Sequence, residues 1–102
     1  MSLYALQKAI YEVNRDVNAM TRYRANPPVF AEGYELTVEE AAALSEPDIG
    51  LLYVLGVNGQ LLMHFAAACG YEWNAYIDAM KHGLEVHGPV REGLYAKKGV
   101  RR

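Results

Sequence analysis

Residues that start and stop helices recur so closely along the middle of this chain that no long helix fits between them. Asn26-Pro27-Pro28 ends whatever helix precedes it, because proline lacks an amide hydrogen and restricts the residue before it. A loop through Gly33 is expected to follow. Thr37 stands three residues before Glu40, the capping-box spacing in which the threonine hydroxyl takes the Glu40 amide and the glutamate reaches back. Ser45-Glu46-Pro47-Asp48 repeats the logic, with Pro47 read as a first helical residue, and Gly56 closes that element. Asn58 is placed to cap another helix, and Gly70 to end it in the left-handed conformation that glycine tolerates.

Apolar periodicity fills the intervals between these signals. Leu3, Leu6, Ile10, Val13, Val17 and Met20 recur at steps of three and four, the stripe of an amphipathic segment. Asp16 is a suitable N-cap within it, so one helix is expected to end near Asn14 and a second to run to Ala25. Leu61, Leu62, Phe65, Ala66 and Cys69 form the next face, and Trp73, Tyr76, Ile77 and Met80 the last. From Gly83 onward no period is sustained among Gly83, Gly88-Pro89, Gly93 and Gly99. These patterns predict an all-α fold, a small orthogonal bundle of about five or six helices over residues 1–82. An extended basic C-terminal arm over 83–102 is expected to complete it, with Leu84, Val86, Val90, Leu94 and Tyr95 available to lie on a partner.

With 102 residues, 52% of them apolar, the chain has material for one domain and one core. Its apolar runs are far shorter than the ~20 residues that cross a bilayer. No basic segment followed by an apolar one marks the start as a signal peptide. A single cysteine, Cys69, cannot close a disulfide within the chain. The expectation is therefore a soluble cytoplasmic protein with no membrane contact. Charge is uneven: residues 1–80 hold Lys8, Arg15, Arg22 and Arg24 against ten acids, whereas 81–102 hold six cations against Glu85 and Glu92. No Lys or Arg falls between Arg24 and Lys81. That stretch would repel a phosphate backbone, and a helix-turn-helix built on Thr37 to Gly70 would have a recognition helix without a cation. Nucleic acid is excluded as a partner.

The residues offer little chemistry of their own. His64, His82 and His87 are too few and too widely spaced for a metal site. His64 beside an apolar face is read as structural or interfacial, with a supporting place in a shared pocket as the other reading. His82 and His87 are read as exposed residues at the hinge of the arm. Cys69 has no neighbouring cation or histidine in sequence and suits a small buried hydrophobe rather than a nucleophile. Glu39 and Glu40 are adjacent, so on a helix they diverge by about 100° and cannot converge on one substrate. No phosphate-cradling glycine motif occurs. Eight tyrosines and one tryptophan exceed what a small core needs. Such rings are favoured at interfaces, while Tyr4, Tyr11, Tyr23 and Tyr34 read equally well as lying at the core boundary.

An ordered set of short motifs resembles one family. Val13-Asn14-Arg15-Asp16, Pro28, Tyr34-Glu35-Leu36-Thr37 with Glu40, Ala42-Ala43-Leu44, Asp48-Ile49-Gly50 with Leu52-Tyr53, Leu55-Gly56-Val57-Asn58 and Leu61-Leu62 follow the order of LigA-type chains. These are small alpha subunits of protocatechuate 4,5-dioxygenase-type extradiol enzymes, and the resemblance spans residues 3–80. It implies a non-catalytic helical chain that binds a larger catalytic beta subunit, commonly in a heterotetramer, and covers its active-site cleft. No cofactor and no metal ligand are then expected in this chain, because the Fe(II) that opens the aromatic ring belongs to the partner. By the same resemblance Asn58, Gly59, Tyr71 and Trp73 are the candidate lid of the substrate pocket, with a core position in the last helix as the other reading of Trp73. Tyr53, His64, Tyr76 and Tyr95 are the candidate partner interface. Val57 and Gln60 replace a glycine and an aromatic residue common in protocatechuate enzymes, and only Tyr71-Glu72-Trp73 separates Gly70 from the next helix. Another catechol or an aminophenol therefore stands beside protocatechuate as the implied substrate. A self-associating LigA-like interaction module without oxygenase activity is the alternative.

Overall fold

Asp16 decides the first corner of the molecule. In the computed structural model, which describes residues 2–91, it sits in extended backbone, and its side chain accepts the Asn18 amide at 2.9 Å. Helix α1 (Ser2–Arg15) therefore ends and α2 (Val17–Ala25) begins on a new axis. The extended residue resets the helical phase, so the six-residue apolar stripe is not one face. Leu6, Ala9, Ile10 and Val13 are buried on α1 and Ala19 and Tyr23 on α2, while Val17 is 79% exposed.

The prolines do more than stop α2. Asn26 accepts the Val29 amide at 3.2 Å, and Pro27 and Pro28 occupy the first turn of α3 (Pro27–Glu32), where their missing donors leave no bond unmade. The loop expected here is thus a short helix that buries Phe30 and Ala31. Helix α4 (Val38–Ser45) opens on the capping box: Glu40 N–H donates to Thr37 Oγ1 at 3.0 Å and Thr37 N–H to Glu40 Oε1 at 2.8 Å. The reciprocal bond explains how a glutamate comes to be buried. Helix α5 (Ile49–Leu55) starts two residues later than expected, since Asp48 is its cap, accepting Leu51 N–H at 3.1 Å, and Pro47 lies before it. The carboxylate cap outcompetes the Ser45 signal. Gly56 closes α5 at φ 110° and Asn58 caps α6 (Gly59–Ala68), with Gly70 at φ 94° beyond it.

Helix α7 (Trp73–His87) corrects the expected boundary at residue 82. It passes through Gly83 without interruption, and the residue that breaks the apolar period in the sequence is buried in the helix. His82 and His87 consequently sit on a helix and not in a hinge. Beyond Gly88, which has φ 88°, Arg91 meets Glu39 of α4 at 2.7 and 3.3 Å. The guanidinium holds the Glu39 carboxyl below its usual range. Tyr95 and the rest of the expected arm lie outside the described residues.

Seven helices and no strand make up the described residues, so the all-α expectation holds with one or two helices more than foreseen. None is long and apolar enough to cross a membrane. They pack pairwise, α1 against α6, α3 against α4 and α5 against α7. Leu6, Ile10, Leu44, Ile49, Leu52, Leu62 and Phe65 are fully buried between them. Tyr23 joins the halves: its ring meets Phe30 at 5.7 Å and Phe65 at 5.6 Å edge-on, and its hydroxyl donates to Leu44 O at 2.6 Å. Such pairs add about 0.5–1.5 kcal/mol each beyond area burial.

The α5–α7 contact is closest of all, because both helices present glycine at the crossing. A Cβ on Gly50 would lie 2.5 Å from Ala79 O and 2.8 Å from Gly83 Cα. Gly50→Ala is therefore expected to destabilise the protein by about 2–3 kcal/mol or more, although an alanine in an exposed helix interior would gain about 1 kcal/mol. Gly59→Ala, where a Cβ meets nothing within 4 Å, is the control and should be close to neutral in the same chemical denaturation series.

Alkaline titration offers an independent check on the contact between α1 and the segment that follows α3. Tyr34 is pushed up from 10.0 to about 12, first by burial and then by the Glu12 carboxylate to which its hydroxyl donates. The folded state holds that proton more tightly than the unfolded chain, so the stability Tyr34 contributes is intact below pH 10.0 and is lost as pH rises toward about 12. Denaturation midpoints should fall across that window, and Tyr34→Phe should flatten the fall.

Candidate functional site

The turn between α5 and α6 is fastened to α5, to α6 and to α1. Gly56 N–H donates to Tyr53 O at 3.1 Å and Val57 N–H to Leu52 O at 3.2 Å, satisfying the last carbonyls of α5. Val57 is 3% exposed and anchors the turn in the core. Asn58 N–H donates to Gln7 Oε1 of α1 at 2.6 Å, while its own side-chain oxygen accepts the Gln60 and Leu61 amides at 2.9 and 3.2 Å. A second strut lies nearby, where Asn14 Nδ2 donates to Leu61 O at 3.1 Å. The loop has little freedom left.

On this base the structure assembles an aromatic cluster. Tyr76 of α7 donates its hydroxyl to Gly59 O at 3.3 Å, and the Trp73 ring packs on Tyr76 with centroids 5.7 Å apart and planes inclined at 47°. Burial, and then the neighbouring Tyr53, push the Tyr76 hydroxyl upward, so it stays a neutral donor at physiological pH. Tyr76 is 5% exposed and Trp73 is 61% exposed. One ring is foundation and the other is surface. Trp73 is not a core residue: it occupies the first position of α7 and its indole is largely exposed.

Four of the expected site residues therefore gather at one place: Gly59, Trp73, Tyr76 and Tyr53. The others fall elsewhere or are spent on structure. Asn58 belongs to the turn, but both its amide and its side-chain oxygen are committed to hydrogen bonds within the chain. Tyr71 is half-buried beyond the far end of α6, with its N–H on Ala66 O at 2.9 Å. It stands two residues before Trp73 but makes no ring contact within the cluster. His64 is exposed on α6, one turn from Gln60. Tyr95 lies outside the described residues. Sequence reasoning missed Gln7, which fastens the turn from 51 residues away. A half-buried glutamine off the apolar stripe of α1 carries no signal of that role.

The cluster can offer an apolar surface made of one exposed ring on a buried one, and little acid–base chemistry. Among the described residues no group of three or more His, Cys, Asp or Glu side chains stands close enough to hold a metal ion. Burial pushes the Cys69 thiol up, against nucleophilic use. The two rings should separate cleanly in stability measurements. Tyr76→Phe removes a buried hydroxyl bond and is expected to cost about 0.5–1.5 kcal/mol. Trp73→Ala, at an exposed site, should stay within about 0.5 kcal/mol of the parent in the same denaturation assay.

Comparison with known proteins bears on what this surface serves. The family described as aromatic-ring-opening dioxygenase LigAB, LigA subunit, matches residues 6–87. The span runs from the first turns of α1 to the last residue of α7, and it includes the turn, the aromatic cluster and the glycine crossing. No curated protein and no solved structure matches the chain. Matched over most of its length by that one family, the chain belongs to the LigA family, the small subunits of aromatic-ring-opening dioxygenases.

Proposed function

We propose that this chain is the non-catalytic alpha subunit of an extradiol dioxygenase in the cytoplasm, seated on a larger catalytic subunit with the Trp73 cluster facing the substrate cleft. The observation that carries the reading is the exposed indole of Trp73, held on Tyr76, which is itself hydrogen-bonded to a turn fastened to α1. A large apolar ring left in water at a rigid corner is the kind of anchor that protein interfaces bury.

The iron in this reading is the partner's. His64 and His82 are exposed on α6 and α7, His87 is half-buried at the end of α7, and among the described residues none joins a group of three or more possible ligands. Ferrous iron in an extradiol enzyme supplies the site where a catecholic substrate and dioxygen meet. What this chain adds is geometry. Trp73 would close one side of the cleft, keep water from the reacting ring and limit the poses of a catechol such as protocatechuate. Because Gly56, Val57 and Asn58 are all hydrogen-bonded into the fold, that wall would be preformed and would cost little ordering on assembly. The assembly we favour is a heterotetramer of two small and two large subunits.

Reconstitution tests this directly. The chain is mixed with the catalytic subunit recovered with it from its host, and ring opening of protocatechuate and of other catechols is followed spectrophotometrically. Rates should rise on addition of the small chain, with Trp73→Ala weakening the complex by about tenfold or more, as loss of a buried aromatic anchor does. Unchanged rates with no complex would reject the reading. So would ring opening by the small chain alone, or a stable homo-oligomer that buries Trp73 without any oxygenase.

A further inference from the structure

A groove lies between α1, α2 and α3, with a volume of about 630 Å³. Val29, Phe30 and Ala25 form its apolar wall, and Lys8 and Arg22 reach it from two different helices. These two cations are unusual in this molecule. Of the four Lys and Arg in residues 1–80, Arg15 is engaged by the Tyr11 ring and hydroxyl and Arg24 donates to Ala68 O at 3.0 Å. Lys8 and Arg22 form no ion pair with any described residue; Arg22 rests over the Phe30 ring at 5.9 Å and lies near enough to Tyr34 for its charge to be felt there. Glu12, the one carboxylate in the lining, accepts the Tyr34 hydroxyl and offsets one of the two cations. Asn26 has its side-chain oxygen on Val29 N–H at 3.2 Å, which leaves its amide nitrogen as a donor at the rim.

We infer that this groove is a binding site for a small monocarboxylate with an apolar body, its carboxylate held by Lys8 and Arg22 and its body laid on Val29, Ala25 and Phe30. The charge count selects the class: two cations and one carboxylate leave the lining with a net single positive charge, within a body that is otherwise acidic. A monoanion balances that charge. A phosphate dianion would be left uncompensated beside Glu12, and a neutral ligand would leave both cations unpaired, so neither is expected to compete. The guanidinium already rests over the Phe30 ring at 5.9 Å, so less freedom is lost when it binds. The site requires no catalytic partner, so it stands or falls apart from the reading of the Trp73 cluster.

The test uses the whole chain and amide chemical shifts. Cyclohexanecarboxylate is the probe, with cyclohexylmethanol as its neutral counterpart and cyclohexyl phosphate as the dianion, each added to about 10 mM, the range in which weak small-ligand sites saturate. Saturable shifts at Lys8, Arg22, Ala25 and Val29 are expected with the carboxylate, and about tenfold weaker binding with the alcohol. Arg22→Gln, at an exposed position that leaves the fold intact by circular dichroism, should weaken the carboxylate by about tenfold, and Arg22→Lys should restore part of it. Absence of saturable shifts in the groove overturns the proposal. So does equal binding of the alcohol, tighter binding of the phosphate, or an Arg22→Gln variant that binds as well as the parent.

Discussion

Two helices cross here at the distance of their backbones, and much of the molecule's shape follows from that. With Gly50 facing Gly83, α5 and α7 approach until Cα and carbonyl atoms touch, which no pair of larger residues would allow. The approach brings α7 back across the fold after α6 has ended, and so delivers Tyr76 to the carbonyl of Gly59 and Trp73 to its place above Tyr76. Without the crossing, the aromatic cluster would have no fixed floor. A glycine in mid-helix weakens the helix that contains it, and here that weakness is offset by the packing it permits.

The remaining architecture is punctuated by side chains rather than by loops of any length. Asp16, Asn26, Thr37, Asp48 and Asn58 each accept a backbone amide at the start of a helix. Five such caps in a chain of 102 residues let short helices begin at fixed points and change direction within one or two residues. Short helices have little stability alone, so the corners they make must be held by tertiary contact. Tyr23 supplies one such hold, since its ring and hydroxyl reach α3, α4 and α6 from α2.

What could be read in the sequence was local, and what could not was relational. The Asp16 break, the Thr37–Glu40 box, the Asn58 cap and the left-handed Gly56 and Gly70 are all decided within four residues, and each is where the pattern puts it. The α3 helix escaped because two prolines read as a stop, although the same residues also suit a start. Gly83 escaped for a different reason. A glycine interrupts an apolar stripe on paper whether it ends a helix or packs against another glycine 33 positions earlier, and only the fold distinguishes the two. Trp73 and Tyr76 were legible as rings, but their division into exposed indole and buried support depends on the Gly59 carbonyl, which no periodicity reveals.

Asn58 precedes Gly59, the pairing in which the following backbone nitrogen most readily attacks a side-chain amide, releasing ammonia and leaving an aspartyl or isoaspartyl link. In this fold the Asn58 oxygen is occupied by two amides of α6 and its own N–H by Gln7, which turns the side chain away from that attack. Conversion to aspartate would keep the cap and favour the positive end of the helix, but the isoaspartyl form, one atom longer in the main chain, would lift Gly59 from beneath Tyr76. The bonds that seat the Trp73 cluster on its turn thus also shield that turn from chemical ageing.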